Sequence, residues 1–100
     1  MMTVNPLEIE GMQYTAVTVE LPRTTLLVIS NEVGYIMCGA LDVDLLNDRL
    51  ADRKVISGRA AGVKTIDELL EAPLEKITNA SKVYGWEPGM TGKDALLKIA

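Results

Sequence analysis

The stretch Thr24–Ser30 reads TTLLVIS, and its consecutive Leu26, Leu27, Val28 and Ile29 make it apolar on both sides of any strand it forms. An extended chain turns successive side chains to opposite faces, so such a strand needs cover above and below it. No other feature constrains the fold as strongly. The strand must lie in the middle of a sheet or in an interface, with helices of its own chain on one side and another apolar surface on the other.

The preceding residues 13–21, QYTAVTVEL, alternate: Thr15, Val17, Val19 and Leu21 share one face and Tyr14, Ala16, Thr18 and Glu20 the other. That pattern predicts a strand with one buried face. Pro22 and Arg23 supply a short turn, Asn31 to Gly34 supply a second in which Gly34 can take positive φ, and residues 35–38 follow as another short strand. Two successive hairpins give an antiparallel meander. Residues 4–10 add an edge strand in front of it, confined to the edge by Pro6.

From Asp42 the period becomes helical, with Val43, Leu46 and Leu50 on one side, Asp44, Asn47, Asp48 and Asp52 on the other, and Asp42 as the cap. Residues 55–61 read as a short strand, so residues 35–61 predict strand, helix, strand, a unit that normally makes a right-handed crossover between parallel strands. Thr65-Ile-Asp-Glu68 is a capping box. Pro73 ends the helix that follows and opens another, whose stripe is Leu74, Ile77, Ala80 and Tyr84. Gly85 stops that helix, residues 86–89 (WEPG) turn the chain, and Thr91 with Asp94 opens a last helix carrying Leu96, Leu97 and Ile99. The expected fold is α+β: an N-terminal antiparallel meander, then a strand-helix-strand crossover and two to three C-terminal helices on a mixed sheet. Residues 1–100 form one domain, with a β oligomerisation region over residues 1–40 and an α/β remainder over 41–100.

Composition removes several function classes. Histidine is absent and Cys38 is the single cysteine, so imidazole proton shuttles, Ser-His and Cys-His pairs, and His- or thiolate-rich metal sites are excluded. Asp42 and Asp44 are read as helix-start acids rather than metal ligands, and no metal or cofactor is expected. The net charge is -4, and the first 40 residues set Glu8, Glu10, Glu20 and Glu32 against Arg23 alone, which disfavours nucleic acid. Four per cent aromatic content offers no stacking platform for bases. The lone thiol and the lack of a charged, apolar leader point to the cytoplasm, and no apolar run approaches the roughly 20 residues that cross a bilayer.

The chemistry-bearing positions lie in two loops. Cys38 ends a strand just before the Asp42 helix, where a positive dipole end could activate it as a weak candidate nucleophile, although a free cysteine also reads as core. Gly58-Arg59-Ala60-Ala61-Gly62-Val63-Lys64-Thr65 leads from a strand into a capped helix, so Asp42, Arg59, Lys64 and Thr65 are candidates for holding a small anion. Gly89-Met-Thr-Gly92-Lys93-Asp94 only superficially resembles a phosphate loop, since Glu87 and Asp94 stand where glycine and a hydroxyl are needed. The surplus of two-sided apolar strand points instead to a second copy of the chain. Tyr14, Ala16, Leu27, Val28 and Ile29 are the expected interface residues.

The strings GYIMCGALDV (34–43), LLNDRL (45–50), SGRAAGVKTIDELLEAPLEKIT (57–78) and GMTGKDALLKI (89–99), with TAVTVELPRTTLLVISN (15–31), resemble the YunC family of small bacterial and archaeal proteins, a domain of unknown function. The resemblance spans nearly the whole chain. It implies an N-terminal β region that mediates tetramer formation, followed by helices, and it carries no catalytic residue. Two expectations therefore go forward: a cytoplasmic homotetramer with a binding or structural role, and a small enzyme or sensor for an anionic metabolite using Cys38 and Arg59.

Overall fold

A computed structural model describes residues 1–38 and 55–100. Its strands β1 (Met2–Ile9), β2 (Met12–Leu21), β3 (Thr24–Ser30), β4 (Tyr35–Met37), β5 (Ser57–Arg59) and β6 (Lys76–Ile77) lie side by side in chain order. All neighbours are antiparallel except β4 and β5, which are parallel. Helix α1 (Ile66–Glu71), a 3-10 helix (Asn79–Tyr84) and α2 (Gly92–Lys98) complete the described architecture, a mixed-sheet α+β fold. The helix expected from Asp42 lies outside the described residues.

Turn chemistry explains the meander. Glu10 and Gly11 both take left-handed φ, 50° and 84°, the two-residue loop that matches the twist of a β1–β2 hairpin. Between β2 and β3, Pro22 fixes its own φ and Arg23 takes φ 64°, the left-handed position of a type II turn that usually holds glycine. Asn31 Oδ1 then accepts from the amides of Val33 and Gly34, at 2.8 and 3.1 Å, and turns the chain into β4. Gly34 is needed there for close approach rather than for positive φ, because a Cβ would overlap the carbonyl oxygen of Ile56.

Register also explains how Pro6 is accommodated. Met1 and Glu20 exchange both backbone bonds, so odd residues of β1 face the β2 ladder and even ones point their backbone groups outward. Pro6 is even. Its missing N–H costs the ladder nothing and removes a donor from the open edge of the sheet.

The core forms on the side that carries the helices. Ala16, Ile29 and Ile36 are consecutive cross-strand partners on that side, and Leu27, Ile29 and Ile36 are fully buried. A Cβ on Gly92 would strike both the Ile36 side chain and the backbone of Leu69, which shows how tightly α2 and α1 press against the sheet. The last carbonyls of a helix have no partner within it, and here side chains from elsewhere supply donors. Trp86 Nε1 donates to Ala95 O at 2.8 Å and the Tyr14 hydroxyl to Leu96 O at 2.7 Å, while Asn31 Nδ2 reaches Ile99 O at 2.9 Å. Burial raises the Tyr14 hydroxyl above its ordinary pKa of 10.0.

One expected element takes another form. The stripe Leu74, Ile77, Ala80 and Tyr84 does not form a single α-helix: Lys76–Ile77 pairs with β5, and only Asn79–Tyr84 is helical, as 3-10. The free edge of β5 decides this, since Glu75 N donates to Arg59 O at 2.8 Å and Thr78 N to Ser57 O at 2.9 Å. Gly85, at φ 85°, ends the 3-10 helix as expected.

Candidate functional site

The expected anion site divides in the structure. Thr65 serves its own helix: its Oγ1 accepts from Glu68 N at 3.1 Å, and Glu68 Oε1 in turn accepts from Lys64 N at 3.0 Å. The capping box thus takes up Glu68 N and Lys64 N, two of the donors that an anion would need. Arg59 is held by Glu75, with a 2.6 Å ion pair in which the Arg59 side chain keeps 22% of its exposure. Asp42 lies outside the described residues.

Cys38 is buried, at 5% exposure, on the helix-covered side of the sheet. Its Sγ accepts from Leu27 N at 3.5 Å and its thiol faces Thr25 O at 3.9 Å. As placed, it packs as a core side chain with no base against it among the described residues. Cys38 and Arg59 stand on opposite sides of the sheet, because Ile36 shares the core side with Cys38 while Arg59 pairs with Met37. The structure does not bring the two together.

The five expected interface residues also divide. Tyr14, Ala16, Leu27 and Ile29 are consumed by the chain's own core, and the face they share carries α1 and α2. Val28 points the other way, half-buried. On its side, cross-strand pairing builds two apolar rows, Met2–Val19–Leu26 and Val4–Val17–Val28–Met37. The β1 end of both rows stands in solvent, with Met2 67% and Val4 56% exposed. Sequence alternation identified Val17 and Val19 as one face, yet it did not reveal that the helices cover the other one.

Two cavities differ sharply in charge. One beneath the β1–β2 hairpin is lined by Glu8, Glu10, Asp67 and Glu71, with Lys93 as the single cation among its described lining residues. Another, of about 470 Å³, lies between the β2–β3 turn and the loop after β5, and among the described residues it is lined by Leu21, Arg23, Thr24, Thr25, Gly62, Val63 and Lys64. No described helix is long and apolar enough to cross a membrane.

Known proteins share this architecture. The chain is 54% identical over 99 residues to the uncharacterized protein YunC of Bacillus subtilis, covering 99% of this chain and 98% of that one. Its fold matches the crystal structure of a protein of unknown function from Thermoplasma acidophilum with a TM-score of 0.89 and 30% identity, over 100% of this chain and 94% of that one. A family model, the domain of unknown function DUF1805, matches residues 37–99. The chain belongs to this DUF1805 family.

Proposed function

We propose that the protein is a cytoplasmic homotetramer with a binding or structural role, whose subunits join through the sheet face opposite α1 and α2. The single observation that carries this reading is the pair of apolar rows, Met2–Val19–Leu26 and Val4–Val17–Val28–Met37. A second copy is the simplest cover, because two identical apolar faces are self-complementary about a twofold axis. Face packing is also favoured over edge extension, since Pro6 withholds a donor from the outer edge of β1. Each aliphatic side chain fully withdrawn from water contributes about 1.5–3 kcal/mol, so rows of this kind can offset the cost of association, about 4–15 kcal/mol. The number four comes from the family resemblance. Of the two expectations raised by the sequence, assembly is the one the placements favour, because Cys38 lies in the core and Arg59 is engaged by Glu75.

The test is sedimentation velocity on the wild type and on Val28→Asp. The wild type should sediment as a tetramer and the variant as a smaller, folded species with an unchanged circular dichroism spectrum. An assembly of unchanged mass in the variant would place the interface elsewhere.

A further inference from the structure

We infer that the cavity between the β2–β3 turn and the loop after β5 binds a small organic anion, with Arg23 and Lys64 gripping its charged head. Four observations converge on it. The cavity, about 470 Å³, has two cations and no carboxylate among its described lining residues. Neither Arg23 nor Lys64 makes an ion pair among the described residues, in a chain whose net charge is -4 and whose first 40 residues hold no other cation. Two cations on one cavity, neither paired with a described carboxylate, set a positive potential there.

The lining suits the chemistry of such a ligand. Thr24 and Thr25 can add hydroxyl donors to the two cations, and Leu21 and Val63 give an apolar wall for the body of the molecule. A compact phosphate or carboxylate head on a small apolar body fits this combination. Position supports it as well: Gly62 to Lys64 leave the carboxyl end of β5, which runs parallel to β4, and ligands of parallel strands gather at that end. Gly62 takes φ 77°, which folds the loop back without a side chain in the way.

Arg23 supplies the fourth observation. It occupies a left-handed turn position, φ 64°, where glycine would be more stable. A cation thus stands at a position whose backbone conformation favours glycine, an outlier that points to a role for its side chain. This site differs from the Arg59 and Thr65 site expected from sequence, whose groups are engaged with Glu75 and Glu68. It is also independent of the assembly reading, because it draws on neither apolar row.

The test is a titration of isotopically labelled protein with phenyl phosphate, benzoate and, as the uncharged control, benzyl alcohol, followed by amide chemical shifts. Phenyl phosphate is expected to shift the amides of Thr24, Thr25, Gly62, Val63 and Lys64, while benzyl alcohol leaves them in place. A response to benzoate as well would assign carboxylates generally, and a response to phenyl phosphate alone would assign a phosphate head. Arg23→Gln and Lys64→Gln should each weaken binding about tenfold, the loss of one charge-assisted contact. Arg23→Gly separates binding from folding: it should weaken binding about tenfold, as Arg23→Gln does, while raising the melting temperature by about 4 °C. Silence at these amides with both anions, or an unchanged affinity in both glutamine variants, would overturn the proposal.

Discussion

The two sides of the sheet come from the same strands and are treated in opposite ways. On one side Leu27, Ile29 and Ile36 are fully buried, and three side chains reach across to the last carbonyls of α2 and the residue after it. On the other, Val4, Val17, Val28 and Met37 line up across four strands with Val4 more than half exposed. The covered side of β2 is the less apolar one, since Tyr14, Ala16 and Thr18 face the helices and Val17 and Val19 face away. The contrast teaches that a helix-covered face is selected by fit as well as by hydrophobicity. Ala16 makes room for packing, and Tyr14 brings the hydroxyl that closes the helix end.

Substitutions can break or sharpen this contrast. On the covered side, Leu27→Ala should cost about 2–5 kcal/mol in denaturant unfolding, because the fully buried site loses its packing and leaves a cavity. The neighbouring Val28→Asp should leave the single chain folded and cost the assembly instead, read as a drop in sedimenting mass. If the two variants destabilise the isolated chain equally, the contrast between the faces fails.

A smaller effect is expected at Tyr14. Tyr14→Phe removes the donor to Leu96 O and should cost about 1 kcal/mol, since Ile99 N still reaches that carbonyl at 3.2 Å. Its titration gives a second reading. A hydroxyl whose pKa is raised on folding stays protonated in the native state, so its contribution is complete below the ordinary value of 10.0 and is lost as pH rises beyond it toward the folded value. Stability measured by thermal melts should therefore fall above pH 10 in the wild type and fall less in Tyr14→Phe. The smallest effect belongs to Ser57→Ala. The buried Ser57 Oγ has no hydrogen-bond partner among the described residues, so its removal should be neutral or stabilise by up to about 1 kcal/mol. A large loss of stability there would reveal a partner for that hydroxyl.

Much of the architecture is legible in the sequence because local signals and tertiary needs agree. Alternation set β2, the two-sided apolar run set β3, Thr65 and Thr91 cap their helices through Glu68 N and Asp94 N, and Gly85 ends the 3-10 helix. Leu74 to Tyr84 is where they conflict. Apolar residues three apart fit an α-helix, a 3-10 helix and a turn into a strand, and the open edge of β5 selects the last two. The side of the sheet on which helices pack is equally absent from a two-sided strand, which is why the sequence alone groups Tyr14, Ala16, Leu27 and Ile29 with Val28. The basic cavity escaped for a different reason. Arg23 and Lys64 lie far apart in the chain, and only the folded sheet brings the β2–β3 turn beside the loop after β5.

The central claim, that the face of Val4, Val17, Val28 and Met37 is closed by further copies of the chain, is tested most directly by native mass spectrometry of the purified protein. The account predicts a species of four times the 10.9 kDa chain that breaks into smaller species in Val28→Asp. A wild-type spectrum containing only single chains at micromolar concentration would contradict it.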